Sequence, residues 1–235
     1  MQALAYTPFE RLAVGRPVDR LDFISQAVAN KQVLDLGAYD ETAFDKKGPR
    51  YWLHGRMAET ATYVYGVDSS AKLPESGLTT SATSRILKGS LFALQDLVDL
   101  ETIEVVVAGE LIEHLPDTLA FLRYLKSLPA LQGKPCLLST PNAACLSNFC
   151  LGLCRMENND LNHLQVYSAK TLHTLFQRAD FADWQLIPYH EIFPEMIDRS
   201  SGWLKVATVV FQKSLHLGEA LFPAMSGGWL AAITI

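Results

Sequence analysis

No stretch of this sequence concentrates lysine and arginine: 20 basic residues are set against 25 acidic ones, for a formal net charge of −5. A surface that binds nucleic acid neutralises phosphates with a basic face, so nucleic acid is not an expected partner. No uncharged apolar run reaches the ~18 residues that a spanning helix needs, and no membrane span is expected. The opening residues, MQALAYTPFERLAVGRPVDR, lack the charged-then-apolar order of a secretory leader. A cytoplasmic location is the resulting expectation. Cysteine is sparse, with Cys136, Cys145, Cys150 and Cys154 the four present. None forms the C-x-x-C pair on which zinc sites usually depend, so no metal site is expected and the thiols are read as reduced. Apolar neighbours (Leu146, Phe149, Leu151, Leu153) suggest small buried residues on a helix.

What is present is a globular composition, 49% hydrophobic and 19% charged, on a chain long enough to bury a substantial core as one domain, 1–235. The stretch VLDLGAYDE, residues 33–41, is a buried strand running into a tight turn, the usual opening of a nucleotide-binding α/β domain. Such turns normally carry two or three glycines; here Gly37 stands alone, followed by Ala38, Tyr39 and the acidic pair Asp40 and Glu41. Further strands are expected at 62–70, ending on Asp68, at 84–94 with a stop at Gly89, and from 103. Others follow at 135–143, at 183–192, where Pro188 favours an edge or bulge, and at 227–235. Helices are expected behind Pro17, where Val18, Leu21, Ile24, Ala27 and Val28 recur over about three turns, and within 51–62. Three more are expected from Asp117, behind the cap Ser168, and over 202–221. The loop LPESGLTTSATS is expected to be a surface excursion. Trp52, Trp184, Trp203 and Trp229 are read as core residues, Trp52 least firmly because it lies in the first loop.

Strands alternating with helices, several apolar on both faces, define a doubly wound α/β fold with a mostly parallel, seven-stranded sheet and a small helical cap. In that architecture ligands sit beyond the carboxyl ends of the strands. The rule selects the Asp35–Gly37 turn, Asp68, and the segment AGELIEHLPD at 108–117. Asp68 is placed to accept hydrogen bonds from a ribose diol; its alternative is a turn or cap residue. Glu110 and, more strongly, Glu113 have the alternative of being acids favoured by a first helical turn.

The elements VLDLGA, VYGVDSS, VVVAGELIEHLPDT, LLSTPN and NHLQVYSAKTLHTLFQRADF, in this order over residues 31–182, resemble class I S-adenosylmethionine-dependent methyltransferases. The small-molecule branch, with its quinone and natural-product enzymes, is the nearest in look. The resemblance implies that Asp35, Gly37 and the adjoining Ala38 line the methionine end of the cofactor, and that Asp68, with Ser69, meets the ribose. It implies that Gly89, Ser90 and Leu91 flank the adenine, and that Gly109 and Glu110 lie at the reactive end. Two positions depart from the family: DLGAYDE stands for D-x-G-x-G-x-G, and Ser90 stands where an Asp is frequent. S-adenosylmethionine has no pyrophosphate, so the close backbone approaches that glycines permit are less stringent. Asp40 and Glu41 would repel a pyrophosphate and suit a cationic sulfonium.

The implied activity is methyl transfer to an oxygen or nitrogen of a small organic acceptor, within residues divided as an N-terminal helical segment (1–30), a cofactor-binding core (31–142) and acceptor-side helices and last strands (143–235). His163 is the first candidate base for the acceptor proton and His114 the second; a hydrogen-bonded structural histidine is the alternative for His114. His54, in the first loop, has no assigned role. Rival readings are an NAD-type oxidoreductase, which would call for more glycines in the first turn, and a non-catalytic binding protein on the same sheet.

Overall fold

The structure, a computed structural model, describes residues 11–40 and 51–235; Glu41 of the acidic pair lies outside the described residues. Its sheet is built around two strands buried on both faces, β1 (Gln32–Leu36) and β5 (Val105–Gly109). In β5, Val106 and Ala108 face one layer of core with Phe121, Leu122, Leu172 and Phe176. Val105 and Val107 face the other, with Ile24, Val28 and Met57. The first layer belongs to α3 (Thr118–Ser127) and α5 (Ala169–Arg178), the second to α1 (Arg20–Ala27) and α2 (Leu53–Ala58). Apolar runs without alternation are what a parallel strand covered by helices on both sides requires.

The remaining strands are β2 (Tyr63–Asp68), β3 (Leu78–Ser81), β4 (Ser84–Lys88), β6 (Pro135–Pro141), β7 (Trp184–Tyr189) and β8 (Gly228–Thr234). Their order is β3-β4-β2-β1-β5-β6-β8-β7, an 8-stranded sheet. β1, β2, β4, β5 and β6 pair in parallel, while β8 runs antiparallel between β6 and β7. The architecture is the expected doubly wound one, with one strand more than expected. That strand, β3, comes from the supposed surface excursion and pairs antiparallel with β4 at the sheet edge. Its Thr and Ser residues carry no apolar run, and only Leu78 packs against core.

Three further details differ from expectation. α1 has only eight residues, because Val18 leaves the helical pattern to bridge the sheet edge at Tyr189; its N–H donates to the Pro188 carbonyl at 3.0 Å and its own carbonyl accepts from His190 at 3.0 Å. Asp19 then caps the helix by accepting from the Asp22 N–H. Cys150 and Cys154, on and after α4 (Leu146–Leu153), are exposed rather than buried. Trp203 is 80% exposed on α7 (Gly202–Leu221), whereas Trp229 on β8 is buried as expected. A short helix, α6 (Pro194–Arg199), precedes α7. Among the described residues no helix is long and apolar enough to cross a membrane.

Gly228 shows how tightly the far side of the sheet is packed. A Cβ there would lie 1.9 Å from Tyr189 Cζ and 2.0 Å from its hydroxyl, and the Tyr189 ring is buried. Gly228→Ala is therefore expected to cost about 1–3 kcal/mol of overpacking, a fall of several degrees in Tm by calorimetry. An unchanged Tm would mean that Tyr189 swings aside freely.

Candidate functional site

Parallel register brings the carboxyl ends of β1, β2 and β5 to one edge, and there the chain encloses a cavity of about 510 Å³. Asp35, Gly37, Ala38, Asp68, Gly109 and Glu110 all line it. Ser69, Gly89, Ser90 and Leu91 do not; Gly89 stands next to the cavity wall through its N–H, which donates to the Asp68 carbonyl at 2.9 Å. Ser90 is exposed, and its hydroxyl accepts from the Phe92 N–H.

Gly37 has φ +74°, and a Cβ on it would meet Leu111 Cδ1 at 2.8 Å, so this one position in the turn does need glycine. Its N–H donates to the Val67 carbonyl. Asp68 then ties the turn to the end of β2: Oδ2 accepts from the Tyr39 N–H at 3.0 Å and Oδ1 from the Ser70 N–H at 2.8 Å. Each carboxylate oxygen has a second lone-pair site, so two ribose hydroxyls can be added without displacing either bond. Asp35 is buried against His54, whose Nδ1 lies 2.9 Å from Oδ2. Burial pushes the Asp35 carboxyl up, and the contact with His54 pulls it back down. His54 Nε2 reaches Thr80 Oγ1 at 3.1 Å, so the unexpected strand β3 helps to orient the imidazole. Trp52 donates through Nε1 to the Ala38 carbonyl at 3.0 Å.

Glu110 adopts φ +52°, a left-handed conformation that is rare outside glycine. Its N–H donates to the Ser139 carbonyl at 3.0 Å, while its Oε1 accepts from Ser139 Oγ at 3.0 Å and from the Tyr189 hydroxyl at 2.8 Å. Arg20 Nη1 stands 4.0 Å from the same oxygen and donates to Ser139 Oγ at 3.2 Å. Burial, then the Glu110 charge, raises the Tyr189 phenol well above its usual range. Glu110 is thus held by residues from α1, β6 and β7, none of which sequence reasoning had brought to the site.

Glu110, Arg20, Asp40 and Tyr51 also line a second, adjoining cavity of about 380 Å³. Its other walls come from Asp19 and Leu21, from the 141–163 and 189–194 segments, and from Gly227. His163 lines this second cavity and His114 the first, their rings meeting edge to face at a centroid distance of 4.7 Å. The loop carrying His163 is clamped to the short turn Ile112–His114, because the Glu113 carbonyl accepts from the N–H groups of Leu164 (2.8 Å) and Gln165 (3.2 Å). His114 Nδ1 lies 3.2 Å from the Asn162 carbonyl. Burial, then His114, lowers the His163 pKa.

Glu113 lies in the first turn of the short helix Ile112–His114, the alternative the sequence offered for it. It is fully buried, and neither carboxyl oxygen makes a hydrogen bond. The Thr140 hydroxyl stands near it without completing one. Burial, then the charge on Glu110, pushes the Glu113 carboxyl up to about 9.

The sequence matches the methyltransferase domain family over residues 9–186. No curated protein gives a significant match. Among solved structures, a SAM-dependent methyltransferase from Archaeoglobus fulgidus superposes with a TM-score of 0.51 at 12% identity, covering 92% of this chain and 94% of that one. Another from Thermotoga maritima gives 0.55 at 12% identity, covering 91% and 86%. These likenesses share the fold described above. The first cavity also fits the family's cofactor: its size is ordinary for a small-molecule site, and among the described residues the carboxyl groups of Asp35, Asp68 and Glu110 that line it, with Arg20 the one guanidinium beside them, suit a cation that carries a ribose. Since the family match extends over well more than half of the chain, the protein belongs to the methyltransferase domain family and is an S-adenosylmethionine-dependent methyltransferase.

Proposed function

We propose that the enzyme transfers the methyl group to an oxygen or nitrogen of a small polar acceptor held in the second cavity. The observation that carries this reading is the shared wall: Glu110, Arg20, Asp40 and Tyr51 border both cavities, so a methyl donor in one faces an acceptor in the other. The donor supplies a methyl carbon already activated by its sulfonium. The protein's part is then to position the two reactants and to exclude water. Asp68 takes the ribose hydroxyls; Asp35, Gly37 and Ala38 border the methionine end. Ser69 stays with Asp68 at the ribose, and the Gly89–Leu91 turn, joined to the cavity wall by the Gly89 N–H bond to the Asp68 carbonyl, takes the adenine. Glu110, with Gly109, sits at the reactive end, where the hydrogen bonds from Ser139 and Tyr189 fix its carboxylate. His163 and His114 activate the acceptor, the first from the acceptor side and the second from the cofactor side.

A small-molecule acceptor fits better than a nucleic acid, because Asp19, Asp40, Glu110 and Glu191 line the second cavity and would repel phosphates. A cytoplasmic setting belongs to the same proposal, supported by four free cysteines, two of them exposed. Calorimetry with S-adenosylhomocysteine is expected to show micromolar binding, about −8 kcal/mol, and no comparable heat with NAD. Equal heats, or heat with NAD alone, would overturn the assignment of the first cavity.

A further inference from the structure

We infer that Glu113, His114 and His163 together bind a divalent transition-metal cation at the seam between the two cavities, with open coordination positions that take the acceptor. This rests on the methyltransferase reading above and gives the two histidines a common role.

One ligand atom from each of the three residues lies within 4.8 Å of the other two. Two imidazoles and one carboxylate form a donor set that suits zinc, iron or cobalt in the divalent state, and a site with only three protein ligands leaves positions open. Glu113 supplies the observation that calls for an occupant. A fully buried carboxyl group with both oxygens unpartnered is costly unless something satisfies it. His163 adds a buried Nδ1 that makes no hydrogen bond either. His114 has the arrangement usual in a ligating histidine: its Nδ1 faces the Asn162 carbonyl, which leaves the Nε2 lone pair for a cation.

The backbone clamp from Leu164 and Gln165 onto the Glu113 carbonyl holds the two halves of the cluster in register. Gln165 fastens the clamp further by donating to the Leu115 carbonyl and accepting from the Tyr167 hydroxyl. The contrast with a second such cluster, His190, His216 and Glu219, is instructive. There the Glu219 oxygens already accept from His190 Nδ1 and the N–H groups of Glu191 and Gly227, and His216 donates to the Glu191 carbonyl. That cluster is complete without an ion; the Glu113 cluster is not.

The place of the cluster gives the cation its use. His114 lines the cofactor cavity and His163 the acceptor cavity, so a hydroxyl bound at an open position lies beside the methyl donor. Coordination lowers the hydroxyl's pKa and its proton leaves to solvent. The resulting oxygen anion forms a bond to the methyl carbon as the carbon–sulfur bond breaks, and that electron pair returns to sulfur. The products are the methyl ether, neutral S-adenosylhomocysteine and one proton, with the cation unchanged in oxidation state.

The test uses the full-length protein, freed of metal by chelation and titrated with Co²⁺ while its visible absorption is followed. One equivalent is expected to saturate, and Glu113→Gln, His163→Ala and the exposed-side variant His114→Ala are each expected to weaken binding by tenfold or more. Glu113→Gln keeps the size of the buried group; were it to fail to fold, the two histidine variants decide. No saturable binding, or binding that all folded variants retain, would overturn the site. S-adenosylhomocysteine calorimetry on the same samples separates the two readings. Cofactor binding without Co²⁺ binding removes the cation alone, and Co²⁺ binding without cofactor binding removes the acceptor role.

Discussion

Replacing Asp68 by alanine is expected to weaken S-adenosylhomocysteine binding by about 2–4 kcal/mol, roughly 30- to 1,000-fold in Kd. Two hydroxyl hydrogen bonds to a charged acceptor would disappear from the ligand side. The structure adds a second cost, because the same carboxylate holds the N–H groups of Tyr39 and Ser70 and so connects the turn after β1 to the end of β2. Alanine releases both, and the turn that borders the methionine end loses its tether. Asp68→Asn separates the contributions: it keeps one acceptor oxygen for the turn but lacks the charge that strengthens the ribose bonds. Calorimetry should therefore rank the wild type above Asn and Asn above Ala, while scanning calorimetry should show a smaller fall in Tm for Asn. If Kd is unchanged in both variants and only Tm falls, Asp68 is a turn residue and the ribose is held elsewhere.

The parts of this site that were legible in the sequence are those written within one strand and the residues just after it. VLDLGA and VVVAGE are apolar runs with a polar stop, and a parallel sheet puts all such stops on one edge. Asp35, Gly37, Asp68, Gly109 and Glu110 were found in that way and line one cavity. What was not legible comes from residues whose meeting depends on sheet order. Arg20 reaches Ser139 from 119 residues away and Tyr189 reaches Glu110 from 79; no local pattern marks either. β3 was missed because an edge strand of Thr and Ser needs no apolar run, only pairing with β4.

The burial of Glu113, which the structure adds to its first-turn position, was not legible for a related reason. An acid after a strand is usually solvated, and its burial follows from the loop that folds over it some fifty residues later in the chain, the Glu113 carbonyl accepting from Leu164 and Gln165. The expectation of no metal was drawn from cysteine spacing, which is a local signal. The cation site inferred above, one glutamate and two histidines joined by that same loop, would leave no such signal.

His163→Ala is expected to reduce turnover by ~10²-fold or more, with S-adenosylhomocysteine affinity preserved. The separation follows from position: His163 lines the acceptor cavity and is not part of the cofactor cavity's wall. The loop itself should stay in place, since the N–H groups of Leu164 and Gln165, not the imidazole, hold it to Glu113. Its Tm should accordingly move little, and the loss should fall on kcat rather than on KM for the methyl donor. His114→Ala borders the cofactor and is expected to raise Kd for S-adenosylhomocysteine as well as to lower turnover. Steady-state kinetics with a turned-over acceptor, read together with calorimetry on both variants, checks the division. A His163 variant with full turnover would remove this residue from acceptor activation and from the cation site at once, leaving an acceptor acidic enough to react by positioning alone. Methyl transfer between the two cavities would survive that result, because it depends on their shared wall at Glu110 and not on the imidazole.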